Sequence, residues 1–153
     1  MTDAEVIELL EKSGAFQKGH FALSSGLHSG EYVQCAQLLQ YPERAEALCQ
    51  ALAKRIRQGD CGEAAAVIGP ALGGVVFAYE LGRQLGVKAL FAERVEGRFH
   101  IRRGFSFQPG ESVIVAEDVI TTGGSAKEVV NLVEQSGGRP IAVAALIDRS
   151  GEN

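Results

Sequence analysis

An α/β fold with a central parallel β-sheet flanked by helices is predicted from three features of the chain. After Pro42, short apolar runs alternate with helical segments, the pattern of a sheet covered on both faces. Nineteen glycines stand against four prolines in 153 residues, which suits tight strand-to-helix turns where backbone must approach something closely. Each apolar run also ends in residues able to meet a ligand: Gly69-Pro70, Glu93-Arg94, Glu117-Asp118 and Asp148-Arg149. In sheets of this kind ligands bind beyond the carboxyl ends of the strands.

Taken in order, Thr2 or Asp3 caps a first helix with Val6, Leu9 and Leu10 on one face and Gly14 as its stop. Between Phe21 and Gln37 the cluster Ser24, Ser25, Gly26, Ser29 and Gly30 predicts a turn between short strands. Pro42 opens a second helix whose apolar positions Ala45, Leu48, Leu52 and Ile56 keep helical spacing as far as Arg57. Ala64 to Ile68 reads as a buried strand, residues 69–74 as a turn, and Val75 to Leu85 as a helix ended by Gly86. Lys88 to Ala92 is the next strand, followed by an arginine-rich stretch. Val113 to Ala116 is a strand, Ser125 to Ser136 a helix stopped by Gly137 and Gly138, and Ile141 to Ile147 the last strand. With no repeats, low-complexity segments or linkers, residues 1–153 are expected to form one domain.

Composition narrows the function. A net charge of -4 gives no electrostatic footprint for nucleic acid or an anionic membrane. The three cysteines, Cys35, Cys49 and Cys61, are widely spaced and form no CxxC pair, so small buried hydrophobes in a reducing compartment are expected rather than a metal or disulfide framework. The N-terminus carries acids rather than a basic segment before an apolar run, so no signal peptide is expected. No apolar stretch reaches the roughly 20 residues that span a bilayer. A cytoplasmic, soluble protein is the expectation.

The chemistry gathers in residues 113–125. An apolar strand, Val113-Ile114-Val115-Ala116, delivers two carboxylates, Glu117 and Asp118. Val119 and Ile120 lead into Thr121, Thr122, Gly123, Gly124 and Ser125. The glycines let successive N–H groups turn inward, the following helix adds its positive end, and three hydroxyls supply donors. That is a cradle for a phosphate monoester. The neighbouring carboxylates would repel a phosphate, so they make sense only if the same ligand also presents neutral hydroxyls or a magnesium ion. A sugar phosphate with vicinal hydroxyls fits both halves. The bland alternative is a capped helix after a strand, with both acids merely solvated. Neither GxxxxGK[ST] nor GxGxxG is present.

Residues 113–125 resemble the loop with which type I phosphoribosyltransferases hold the ribose 5-phosphate of phosphoribosyl pyrophosphate. Flanking segments are similar to the orotate phosphoribosyltransferase family in particular. Phe21-Ala22-Leu23-Ser24-Ser25-Gly26, with Ser29 and Tyr32, resembles its N-terminal segment, a small hood over the base site. On that resemblance residues 1 to about 40 are the hood and residues 41–153 the core. Gly69-Pro70 followed by Ala71, Leu72, Gly73 and Gly74 stands where the family binds pyrophosphate. Phe91-Ala92-Glu93-Arg94 is similar to the strand end before its mobile catalytic loop, and Asp148-Arg149 to the strand end whose arginine meets the orotate carboxylate. A guanidinium fork suits a planar carboxylate. Seen alone, such a glycine turn is more often mere chain reversal and such an arginine more often a solvated surface residue; their weight comes from occurring together.

The chain departs from the family in places. Ser24 stands where a lysine is common, and no lysine lies between Glu93 and Phe105. Arg94, Arg98, His100, Arg102 and Arg103 occupy that stretch instead, in a segment short enough for a hairpin. Arg94, Arg98 and His100 are therefore the candidate catalytic residues with Asp118, although an exposed charged hairpin with a plain surface histidine is the simpler reading. The family continues past the Asp-Arg strand where this chain reaches Asn153, so a short member or a trimmed chain is expected.

The resemblance implies transfer of ribose 5-phosphate from phosphoribosyl pyrophosphate to a ring nitrogen of orotate, in pyrimidine biosynthesis. It implies magnesium as cofactor, a lid over residues 93–105, and a homodimer whose loop reaches the neighbouring site. Two rivals remain open at this point: a phosphoribosyltransferase for a purine base, and a non-catalytic sensor of phosphoribosyl pyrophosphate that regulates a partner.

Overall fold

The computed structural model describes residues 1–22 and 26–152. Leu23, Ser24 and Ser25, and with them the centre of the N-terminal motif and the lysine-to-serine departure, lie outside the described residues. Contacts divide the chain into two units, Met1–Leu48 and Cys49–Asn153.

In the first unit, helix α1 (Asp3–Lys12) opens with a capping box. Glu5 N–H donates to Thr2 Oγ1 at 3.3 Å while Thr2 N–H donates to Glu5 Oε2 at 2.6 Å. Strands β1 (Phe16–Ala22) and β2 (His28–Val33) form an antiparallel ribbon with an irregularity between Lys18 and Phe21. The sequence reading began this strand at Phe21. Gln17 and Lys18 belong to it because a ribbon exposed along most of its length does not need an alternating apolar face. The ribbon is followed by a short helix α2 (Ala36–Leu39), which the sequence reading missed. Helix α3 (Pro42–Gln58) opens at the proline, as its sequence predicts.

The second unit is built on a five-stranded sheet. Its strands are β3 (Ala66–Pro70), β4 (Lys88–Val95), β5 (Arg98–Ile101), β6 (Ser112–Ile120) and β7 (Arg139–Asp148), in the order β5-β4-β3-β6-β7. All pairs are parallel except β4 with β5. Helix α4 (Gly73–Leu85) follows β3 and helix α5 (Gly124–Gln135) follows β6.

Alternation along the strands sends successive side chains to opposite faces. Ala66, Ile68, Leu90, Ala92, Val113 and Val115 pack with Val129 and Val133 of α5. The opposite parity faces α4: a Cβ on Gly69 would lie 2.9 Å from that of Ala78, and one on Gly82 would lie 2.9 Å from that of Ala89. Strand β3 is buried over its whole length. A buried Val, Ile or Leu contributes about 1.5–3 kcal/mol, so this apolar middle layer is what fixes the positions of the strand ends.

Several boundaries moved relative to the sequence reading. Strand β6 does not stop at Ala116 but runs through Glu117, Asp118 and Val119 to Ile120. The ladder to β7 continues there, with Glu117 opposite Ala145 and Ile120 opposite Asp148. Hydrogen bonding carries a strand past the point where its apolar pattern ends, so Val119 and Ile120 are strand rather than loop.

Candidate active site

Strand β3 is the switch point of the sheet: the chain goes next to β4 on one side and later to β6 on the other. Such a point leaves a crevice at the carboxyl ends of the two diverging strands. The turn after β3 and the loop after β6 both open there.

The β3–α4 turn is held by Ala71 N–H, which donates to the Ala92 carbonyl at 2.7 Å. The Ala71–Leu72 peptide is cis, and Leu72, first in line before α4, is 87% exposed. Gly73 is where the two loops touch. A Cβ there would stand 2.8 Å from Asp118 Oδ2 and 3.0 Å from Oδ1, closer than any real side chain tolerates. Gly74 is equally constrained, its hypothetical Cβ falling 2.7 Å from Pro70 Cδ and 3.0 Å from the Ala116 carbonyl oxygen. Missing side chains at 73 and 74 thus let the turn close on the end of β6.

After β6, Thr121, Thr122 and Gly123 lead into α5. Gly123 takes φ +77° at the N-cap and offers no side chain to the helix. No acid lies in the first turn of α5, so its amino end faces the crevice without a negative group of its own. Gly124 N–H makes a long, 3.4 Å bond to Thr122 Oγ1. Glu117, Thr121, Thr122, Gly123, Gly124 and Ser125 line a cleft of about 100 Å³.

Glu117 is the unusual member. Its residue is only 9% exposed, and among the described residues its Oε2 is buried without a hydrogen-bond partner. Burial first, and the Asp118 carboxylate second, push its pKa up to about 7. A buried acceptor left unpaired beside a cleft is costly to the fold alone.

Arg149 joins this edge through its backbone. Its N–H donates to the Ile120 carbonyl at 2.8 Å, and Asp148 Oδ1 accepts from Ser150 N–H at 2.9 Å. The Ser150 side chain first, and this backbone bond second, hold the Asp148 carboxyl below its ordinary value. Ala71 to Gly74, Glu117 to Ser125 and Arg149 are therefore brought to one edge of one sheet.

The arginine-rich stretch is arranged differently. It forms the hairpin β4–β5, with Val95 paired to Arg98 across a two-residue turn in which Glu96 and Gly97 both have positive φ, the twist-matched hairpin turn. Arg98 and His100 are exposed on either side of buried Phe99. Arg94 lies on α5 rather than in the cleft: it forks onto Glu128 at 3.1 and 3.2 Å, donates to the Gly97 carbonyl at 2.8 Å and covers the Phe99 ring at 4.0 Å. Arg103 forks onto Glu93 at 2.8 and 2.7 Å, which lowers the Glu93 pKa. Partners 34 positions apart in sequence leave no local signal, and Glu128 went unnoticed in the sequence for that reason. Gly73 was singled out, but its contact with Asp118 was not foreseeable.

Comparison with known proteins gives the family. Residues 35–153 match the phosphoribosyl transferase domain family. The chain is 54% identical over 147 residues to the orotate phosphoribosyltransferase of Carboxydothermus hydrogenoformans, covering 96% of this chain and 76% of the relative. It is 51% identical over 151 residues to that of Desulforamulus reducens, covering 98% and 77%.

This chain belongs to the orotate phosphoribosyltransferase family.

The orotate phosphoribosyltransferase of Aeropyrum pernix, a solved structure, superposes with a TM-score of 0.76 at 27% identity, over 95% of this chain and 82% of the other. Membership makes the chain a transferase of the phosphoribosyl class and confirms the α/β core. Among the described residues no helix is long and apolar enough to cross a membrane.

Proposed function

We propose that the chain transfers ribose 5-phosphate from phosphoribosyl pyrophosphate to a ring nitrogen of orotate, releasing pyrophosphate, as a step of pyrimidine biosynthesis. The observation that carries this reading is the juxtaposition of an acid pair, one of whose oxygens, Glu117 Oε2, is buried without a hydrogen-bond partner among the described residues, with a helix amino end that carries no acid in its first turn. A ligand that is phosphate at one end and hydroxyl a few ångströms away satisfies both.

In this reading Thr121 to Ser125 bind the 5-phosphate through backbone N–H groups and hydroxyls. Glu117 Oε2 and the Asp118 carboxylate accept from the ribose hydroxyls, relieving the unpaired oxygen. Ala71 to Gly74 face the pyrophosphate, whose approach needs backbone without side chains at 73 and 74. Arg149 forks onto the orotate carboxylate. The ring nitrogen bonds to the anomeric carbon as the bond to pyrophosphate breaks, and positive charge accumulates on the sugar in between. The chain's part is to fix the ribose and pair the leaving charge. Orotate arrives as an anion, so His100 is given no general-base role.

Glu117 and Asp118 are hard oxygen donors of the kind magnesium accepts. Among the described residues no group of three His, Cys, Asp or Glu side chains gathers to hold a metal, so these two would share it with the substrate's own oxygens. Magnesium, when bound, supplies charge neutralisation for the departing pyrophosphate. Arg94, Arg98 and His100 would act only if the hairpin of residues 93–105 closes, which for Arg94 means exchanging Glu128 for the anion. Residues 1–40 serve as the hood and 41–153 as the core. A cytoplasmic homodimer with the loop contributed in trans completes the proposal.

The test is a split of Michaelis constants. Arg149→Ala is expected to raise KM for orotate by about tenfold or more, the loss of one charge-assisted fork, while leaving KM for phosphoribosyl pyrophosphate nearly unchanged. Equal rises in both would remove Arg149 from the base site.

A further inference from the structure

Two of the chain's three histidines meet on the β1–β2 ribbon, and neither is among the individual binding or catalytic residues assigned above. His28 Nδ1 lies 2.7 Å from His20 Nε2, with ring centroids 4.7 Å apart and planes inclined by 47°. We infer that His20 and His28 form a chelating site for a late first-row divalent cation, of the class of Zn2+, Ni2+ or Cu2+.

Both rings are exposed and come from opposite strands. Their placement is set by backbone. Ala22 pairs with His28 and Phe21 with Ser29, while the register slips by one residue between Lys18 and Phe21. His20 lies two residues before Ala22, on the same face, so its ring is the diagonal neighbour of His28 across the ribbon.

The two facing nitrogens satisfy each other when one ring donates its N–H to the lone pair of the other. A zinc ion at about 2.0–2.1 Å from each nitrogen would hold them roughly 3.3 Å apart, a separation reached by small rotations of two exposed rings. The bridging proton then moves to the outer nitrogen of its own ring. Each imidazole stays neutral, keeps one N–H and presents one lone pair to the ion.

Imidazole donors select the ion class. Magnesium and calcium require oxygen ligands, whereas zinc, nickel and copper accept nitrogen. Among the described residues no third His, Cys, Asp or Glu joins the pair, so water completes the coordination and the site is an exchangeable one. Its structural effect is a staple. A two-stranded ribbon is marginal on its own, and an ion bridging its strands ties β1 to β2 beside the irregularity.

The experiment uses the whole chain titrated with ZnCl2 or NiCl2, followed by calorimetry and by the histidine ring 15N signals. One ion per chain is expected. The His20 and His28 signals should move together while those of His100 stay still. His20→Gln and His28→Gln should each weaken binding by about tenfold or more, about 1.4 kcal/mol or above, and His100→Gln should not. Circular dichroism checks that the variants keep the wild-type fold. Absence of saturable binding, unchanged affinity in both ribbon variants, or ring shifts confined to His100 would each overturn the site.

Discussion

Glu117 shows most directly how the site and the fold pull against each other. Its pKa rises from an ordinary 4.5 to about 7 in the folded chain. Between those values the folded protein keeps a proton that the unfolded chain has lost. This group's contribution is therefore fully present below about pH 4.5 and fades as pH rises through about 7. Glu117→Gln keeps the shape and removes the titration. Its melting temperature relative to wild type should climb between pH 5 and pH 8, ending higher by roughly 5 °C for a cost of roughly 2 kcal/mol. A constant offset across that range would mean the carboxyl is not strained by burial. Gly73 makes the complementary point, because its absent side chain is what lets Asp118 stand where it does. Gly73→Ala would push on the Asp118 carboxylate, and a displaced ribose contact should lower kcat/KM by about a hundredfold with circular dichroism unchanged. Activity within twofold of wild type would show that the two loops can part without consequence. The acid pair and the glycine- and hydroxyl-rich loop beside it were legible in sequence because both lie in one unbroken stretch, residues 117–125. The contact of Gly73 with Asp118 was not, because it joins two loops brought together only by the parallel pairing of β3 with β6.

At the scale of elements, α5 links the two halves of the chemistry. Its amino end is the proposed phosphate cradle, and one turn later Glu128 holds Arg94 of the hairpin. The pair is largely exposed, so it contributes little to stability, about 0–1 kcal/mol. Glu128→Ala should therefore leave the melting temperature within a few degrees of wild type while changing the salt dependence of phosphoribosyl pyrophosphate binding, since Arg94 loses its resting partner. A large drop in stability with unaltered binding would instead mark the pair as a plain fastening of the hairpin. The amino end itself depends on Gly123, whose φ of +77° costs an L-residue roughly 1–2 kcal/mol. Strand and helix order after Pro42 followed from apolar periodicity, since buried parallel strands write continuous apolar runs. The ends did not. β4 continues through Glu93 and Arg94, and β6 through Glu117 to Ile120, because ladder hydrogen bonds hold polar residues that the pattern assigns to loops. Residues 16–20 were missed for the converse reason: an exposed ribbon carries no apolar alternation.

For the molecule as a whole, sheet order sets where the chemistry can occur. Because β3 lies between β4 and β6, the turns that leave β3 and β6 must open at the same edge, and the β7 end with Arg149 is carried there by the parallel ladder. In the proposed function this edge binds phosphoribosyl pyrophosphate and passes its ribose 5-phosphate to orotate. The most direct measurement mixes the purified chain with magnesium, phosphoribosyl pyrophosphate and orotate and follows the loss of orotate absorbance, with hypoxanthine and xanthine run separately. The account predicts turnover with orotate alone, and its loss in Asp118→Asn. Turnover of a purine base instead, or orotate turnover undiminished in Asp118→Asn, would contradict it.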